Sequence, residues 1–116
     1  MVDDDDVIAN LYANKFRGAG YEVVIAHNVV EMGQQFVSGL VPDLALLDVV
    51  MPMTNGIEAV TMVMDTPSLN NMKIIIFSNF DYHANLSPQI AKRISAYCVK
   101  VDSTPSQILK LIQGLI

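Results

Sequence analysis

The chain has 116 residues, of which 52% are hydrophobic and 16% charged, with a formal net charge of −5 at pH 7. That length predicts one domain over residues 1–116, and so apolar a chain buries enough surface to offset its ordering entropy, which excludes a disordered tail. The excess of Asp and Glu over Lys and Arg disfavours direct binding to nucleic acid or to an anionic membrane surface.

The chain opens Met1-Val2-Asp3-Asp4-Asp5-Asp6, the opposite in charge of a signal peptide. No apolar run approaches the ~18 residues that span a bilayer, so the reading is a soluble protein of the cytoplasm with no membrane contact. Val7, Ile8, Leu11, Tyr12 and Phe16 share one face of a first helix, which Gly18 and Gly20 end. Glu22–Ala26 reads as a strand. Asn28 and Glu31 resemble a capping box opening a second helix, whose apolar side runs through Met32, Phe36, Val37 and Leu40 and which ends near Gly39.

Pro42-Asp43 turns the chain into Leu44-Ala45-Leu46-Leu47-Asp48, an apolar run without alternation, as in a strand buried on both faces of a parallel sheet. Gly56–Asp65 reads as a helix and Lys73–Ser78 as a second doubly buried strand. Residues 82–95 form a weaker helix, which Pro88 either interrupts or opens with Ser87 as its cap. Ala96–Lys100 is a short strand containing the lone Cys98, which excludes an internal disulfide and any Cys-based cluster and reads as a small core residue. Thr104-Pro105-Ser106-Gln107 is a capping box with Pro in the first turn, opening a last helix with Ile108, Leu111, Ile112 and Leu115 inward.

Strands alternating with helices predict βαβ units and a doubly wound α/β domain, whose ligands bind at the carboxyl ends of the strands. The residues there are Asp3 and Asp4, Asp48, Ser78 and Lys100, and no core role explains them. Two unit charges about 4 Å apart at an effective dielectric of about 20 repel by about 4 kcal/mol, so three converging carboxylates call for a cation. Three carboxylates and one Lys sum to −2, which a divalent ion neutralises; all-oxygen ligands select Mg²⁺ or Mn²⁺. His27 and His83 read as surface residues in turns, and the Met residues as gap-fillers.

These residues resemble those of the response-regulator receiver family of two-component systems, over essentially the whole chain. The motifs are Val2-Asp3-Asp4-Asp5, Pro42 through Asp48, Asp48-Val49-Val50-Met51-Pro52 running on to Gly56, Ser78, and Tyr97-Cys98-Val99-Lys100. The intervals of 44, 30 and 22 residues from Asp4 to Asp48, Ser78 and Lys100 in turn also suit that family. The resemblance implies a flavodoxin-like five-stranded parallel sheet of order 2-1-3-4-5, with the first strand truncated because only Met1 and Val2 precede the acidic pair.

It further implies that Asp48 accepts a phosphoryl group from a sensor histidine kinase or phosphotransfer protein. Mg²⁺ would be held by Asp4, Asp48 and the carbonyl of Val50, with Asp3 acting mainly through water. Lys100 and Ser78 would hold the phosphoryl oxygens, and Tyr97 would change rotamer with Ser78 to switch a surface read by a downstream protein. A homodimer through the fourth helix, fifth strand and fifth helix belongs to the same implication. The protein would turn over no separate substrate, catalysing only its own phosphorylation and slow dephosphorylation.

Three departures stand out. Val101 follows Lys100 where the family usually has Pro, predicting a trans bond; Asn79 narrows the approach to Ser78; and Val50 offers no side chain to orient a hydrolytic water. The last predicts slow autodephosphorylation. Two other readings compete with a phosphorylated, stand-alone receiver. One is a non-phosphorylated pseudo-receiver that docks constitutively. The other, a phosphoaspartyl hydrolase, calls for a second Asp where Val50 stands.

Overall fold

The computed structural model describes residues 1–48, 56–79 and 87–116. Three regular strands are present among them: β1 (Leu44–Leu47), β2 (Lys73–Ser78) and β3 (Ala96–Val99), all parallel in the order β1-β2-β3. β2 is central and buries both of its faces. Ile74 and Ile76 join a layer with Val29, Met32, Val60 and Val63, while Ile75 and Phe77 join one with Tyr12, Phe16, Ile108 and Ile112. This two-sided burial explains why the strand lacks alternation.

Helices α1 (Asp6–Gly18) and α5 (Pro105–Leu115) cover one face of the sheet; α2 (Val29–Val37), α3 (Gly56–Met64) and α4 (Pro88–Arg93) cover the other. The doubly wound α/β architecture is therefore as expected. No helix among the described residues is long and apolar enough to cross a membrane.

The first two strands are reduced to single bridges. Val2 pairs in parallel with Ala26 on one side and Leu47 on the other, so the order 2-1-3-4-5 survives with one rung on each side of Val2. Its bonds run from Val2 N to Leu46 O (2.8 Å) and from Asp48 N to Val2 O (2.9 Å). Opposite, Asp3 N donates to Ala26 O (3.0 Å) and Ala26 N to Met1 O (2.8 Å). Glu22–Ala26 is thus not a regular strand, correcting the sequence reading: a partner of two residues cannot support a ladder of five. Its side chains still alternate, with Tyr21, Val23 and Ile25 half-buried and Glu22 and Val24 exposed. A cavity of about 410 Å³ opens below Met1, between Tyr21–Val24 and Val41–Leu46.

Local signals set most helix ends. Asp5 caps α1, its Oδ1 accepting from Val7 N (3.0 Å) and Ile8 N (3.2 Å). The inner face of α1 is Ala9, Tyr12, Ala13 and Phe16; Val7 and Leu11, expected inward, are 77% and 53% exposed. Small Ala side chains let the helix lie close to the sheet and set its rotation. Asn28 caps α2, and Gly39, at φ 105°, takes the left-handed turn beyond it that a β-carbon resists. Val37 is exposed rather than inward. Ser87 caps α4 with Pro88 in its first turn, which decides the role of that proline. The α4 helix buries none of its own residues fully, and at its end Arg93 donates to Met72 O (2.8 Å) and Leu69 O (2.7 Å). Thr104 and Gln107 form the expected capping box of α5. β3 stops at Val99, so Lys100 begins a 3₁₀ turn, Lys100–Asp102, instead of ending the strand.

Candidate functional site

The carboxyl edge of the sheet gathers residues from four places in the chain. Asp3 follows Val2, Asp48 follows β1, Ser78 ends β2, and Lys100 follows β3. Asp3, Asp48 and Ser78 are buried, at 1%, 3% and 0% exposure, whereas Asp4 is exposed. Each of Asp3, Asp4 and Asp48 offers an oxygen, and these three oxygens lie within 4.8 Å of one another. The convergence expected from the sequence is therefore present.

Lys100 Nζ lies 2.8 Å from Asp3 Oδ2 and 3.0 Å from Asp48 Oδ2, with its side chain only 10% exposed. The Asp48 contact is a hydrogen bond. The Asp3 contact is an ion pair without hydrogen-bond alignment, so the buried Asp3 Oδ2 accepts no hydrogen bond. Asp3 Oδ1 is occupied by the backbone N–H of Asp5 (2.9 Å), which aims the carboxylate inward. Burial alone would lower the Lys100 pKa, but its contacts with Asp3 and Asp48 outweigh burial and hold it above the ordinary lysine value.

Ser78 pairs in register with Val99, which puts it on the strand beside the residue preceding Lys100. Tyr97 pairs with Ile76 and is half-buried against the layer formed by α2, α3 and α4. Val50 and His83 lie outside the described residues. No cis peptide bond occurs among the described residues.

One contact escaped the sequence reading. His27, taken as an unpartnered surface residue, bridges two carboxylates: Nε2 is 2.6 Å from Asp6 Oδ1 and Nδ1 is 3.0 Å from Glu31 Oε2. The backbone N–H of His27 also donates to Glu31. Glu31 was visible four residues on; Asp6 is brought in only by the bridge between Val2 and Ala26, which sets the start of α1 beside the residue that precedes the cap of α2. Slight burial works against it, but the two carboxylates hold the His27 pKa above its usual value.

The family model of the response regulator receiver domain matches residues 1–113, and the chain belongs to that family. Over 114 residues it is 26% identical to the transcriptional regulatory protein LnrK of Bacillus subtilis, covering 97% of this chain and 50% of that protein. It is 31% identical over 88 residues to the uncharacterized transcriptional regulatory protein YxjL of the same organism, covering 76% of this chain and 37% of that one. The chain thus spans half or less of these relatives. Among solved structures, the response regulator TrrA of Thermotoga maritima, in complex with Mg²⁺–BeF, superposes with a TM-score of 0.82 at 29% identity, covering 99% of this chain and 95% of that one. For a response regulator of Chloroflexus aurantiacus the TM-score is 0.81 at 27% identity, covering 98% and 92%. Membership in this family implies a phosphoacceptor role.

Proposed function

We propose that Asp48 accepts a phosphoryl group from a phosphohistidine of a sensor histidine kinase or phosphotransfer protein, in a Mg²⁺-dependent reaction in the cytoplasm, and that this changes a surface read by a downstream protein. The observation that carries the reading is the meeting of Asp3, Asp4 and Asp48 within 4.8 Å, with Lys100 at 3.0 Å from Asp48. An attacking carboxylate oxygen bonds to phosphorus as the bond from phosphorus to the imidazole nitrogen breaks.

The donor set suits a hard divalent cation: all-oxygen, net negative, and including the buried Asp3 Oδ2, which accepts no hydrogen bond. Asp3, Asp4 and Asp48 would hold it, with the carbonyl of Val50 as a further ligand. When bound, Mg²⁺ supplies the positive charge that lets an anionic nucleophile and an anionic phosphoryl group approach. Lys100, already beside Asp48, then holds a phosphoryl oxygen as a compact positive charge. Ser78 donates its hydroxyl to the same group, and Tyr97 follows Ser78 to alter the face around β3. With Val50 lacking a polar side chain, the phosphoryl group is long-lived; a lifetime of only seconds would refute that point.

The test is incubation with acetyl phosphate or a cognate kinase. One acid-stable, base-labile phosphoryl group per chain is expected with Mg²⁺, and none without the metal or in Asp48→Asn. Equal labelling of the Asp48→Asn protein overturns the assignment. No labelling at all with either donor leaves the constitutive docking module instead.

A further inference from the structure

Lys100 carries its charge on a flexible four-carbon stem, and it leaves the sheet on a turn rather than within a strand. Two things hold that charge in place besides its anionic partners. Beneath it lies Phe77, with Nζ 5.6 Å from the ring centroid. Phe77 is itself braced by Tyr12 of α1, their centroids 4.9 Å apart and their planes tilted by 57°.

The same Tyr12 reaches the backbone that carries Lys100. Its hydroxyl donates to Ser103 O at 3.2 Å, across 91 positions of sequence. Ser103 in turn closes the turn onto the strand: its Oγ donates to Val99 O (2.8 Å) and its N–H to Lys100 O (3.2 Å). Tyr12 is 3% exposed, so its hydroxyl forfeits little by way of water contacts elsewhere, and a buried tyrosine hydroxyl is held where it finds a partner. Ring and hydroxyl therefore act on one side chain by two routes, through Phe77 and through Ser103. α1 also begins three residues after Asp3, so one helix links the acidic strand end to the lysine turn.

We propose that Tyr12 is a positioning residue for Lys100, setting where the ammonium stands relative to Asp48. The inference rests on the reading that Lys100 serves phosphoryl transfer at Asp48. Tyr12→Phe keeps the ring and removes only the bond to Ser103; Ser103→Ala breaks the same turn at its other bond. Both variants are expected to slow phosphorylation by acetyl phosphate, Tyr12→Phe by about fivefold, the scale of one hydrogen bond. In a Lys100→Gln background Tyr12→Phe should add no further slowing, because its effect passes through the lysine.

A second readout needs neither metal nor phosphoryl donor. In metal-free protein carrying ¹³C-labelled lysine, the Lys100 side-chain resonances of Tyr12→Phe should move toward those of the exposed Lys15, Lys73, Lys92 and Lys110. A purely stabilising role would lower the melting temperature and leave both that signal and the folded-state rate unchanged. Unchanged resonances, or equal slowing with and without Lys100, overturn the proposal. If the native chain takes up no phosphoryl group while the lysine signal still shifts, the phosphoacceptor reading fails and the positioning role stands. If the chain is phosphorylated and Tyr12→Phe changes neither rate nor signal, only the positioning role fails.

Discussion

Replacing Lys100 by Met keeps most of the side-chain volume and removes the charge that lies between two buried carboxylates. At 2.8 and 3.0 Å and an effective dielectric of about 20, each attraction is worth about 6 kcal/mol before desolvation. Desolvation of all three groups cancels much of that. The measured cost of removing one partner of a buried pair is about 3–5 kcal/mol, because the charge left behind has no compensation. With an unfolding entropy of about 2.1 cal/mol/K per residue, 1 kcal/mol shifts the melting temperature of a 116-residue chain by about 4 °C. Lys100→Met should therefore melt about 12 °C or more below the native protein at pH 7 without divalent metal.

That pH lies inside the relevant window. A lysine whose folded pKa is raised contributes fully below its ordinary value of 10.5 and loses the contribution only as pH climbs through the higher folded value. The metal supplies the second half of the test. With the ammonium gone, Mg²⁺ meets less competition for Asp3 and Asp48, so it should raise the melting temperature of Lys100→Met more than that of the native chain. Calorimetry with and without Mg²⁺ measures both quantities. Equal melting temperatures without metal, or equal gains with it, would refute the reasoning.

Other consequences can be checked by the same thermal measurements. Asp5→Ala removes the acceptor for Val7 N and Ile8 N and should cost about 1 kcal/mol, or about 4 °C. Gly39→Ala meets no atom within 4 Å of the new β-carbon, so its expected loss of about 1 kcal/mol reports backbone strain at φ 105° alone. His27, with its pKa raised, stabilises the fold most below its unfolded value of 6.5 and loses this as pH rises through the folded value; the difference in melting temperature between the native chain and His27→Ala should shrink over that rise. Adding Val-Ile-Val ahead of Met1, against a Gly-Ser-Gly control, should raise the melting temperature by filling the cavity of about 410 Å³ and slow hydrogen exchange at the Val24 and Leu46 amides.

The parts of the fold most legible in the sequence were those where one physical demand dominated. Leu44–Leu47 and Ile74–Phe77 had to be apolar on both faces, and Asn28, Thr104 and Gln107 could satisfy orphan amides only at helix starts. Glu22–Ala26 misled because Val23, Val24 and Ile25 are β-branched residues that favour strands, whereas the pairing of this segment is limited to the single bridge between Ala26 and Val2. The rotation of α1 was set by Ala9 and Ala13, which a search for large apolar residues passes over. At the site, the meeting of Asp3, Asp48 and Lys100 was foreseeable from strand ends. The burial of Asp3 and exposure of Asp4 were not, since that difference depends on which of two neighbours the Val2 bridges turn inward. The brace of Tyr12 on Phe77 had no sequence signal at all: those residues are 65 positions apart and each reads as ordinary core.

Arg93 sets a mechanical condition on the helix it ends. A guanidinium that grips two carbonyls of the Leu69–Met72 turn fixes the carboxyl end of α4, while the helix anchors little along its own length. The grip ties the end of α4 to the segment that leads into β2, so a change at Arg93 would be felt at once by the helix and by the start of the central strand.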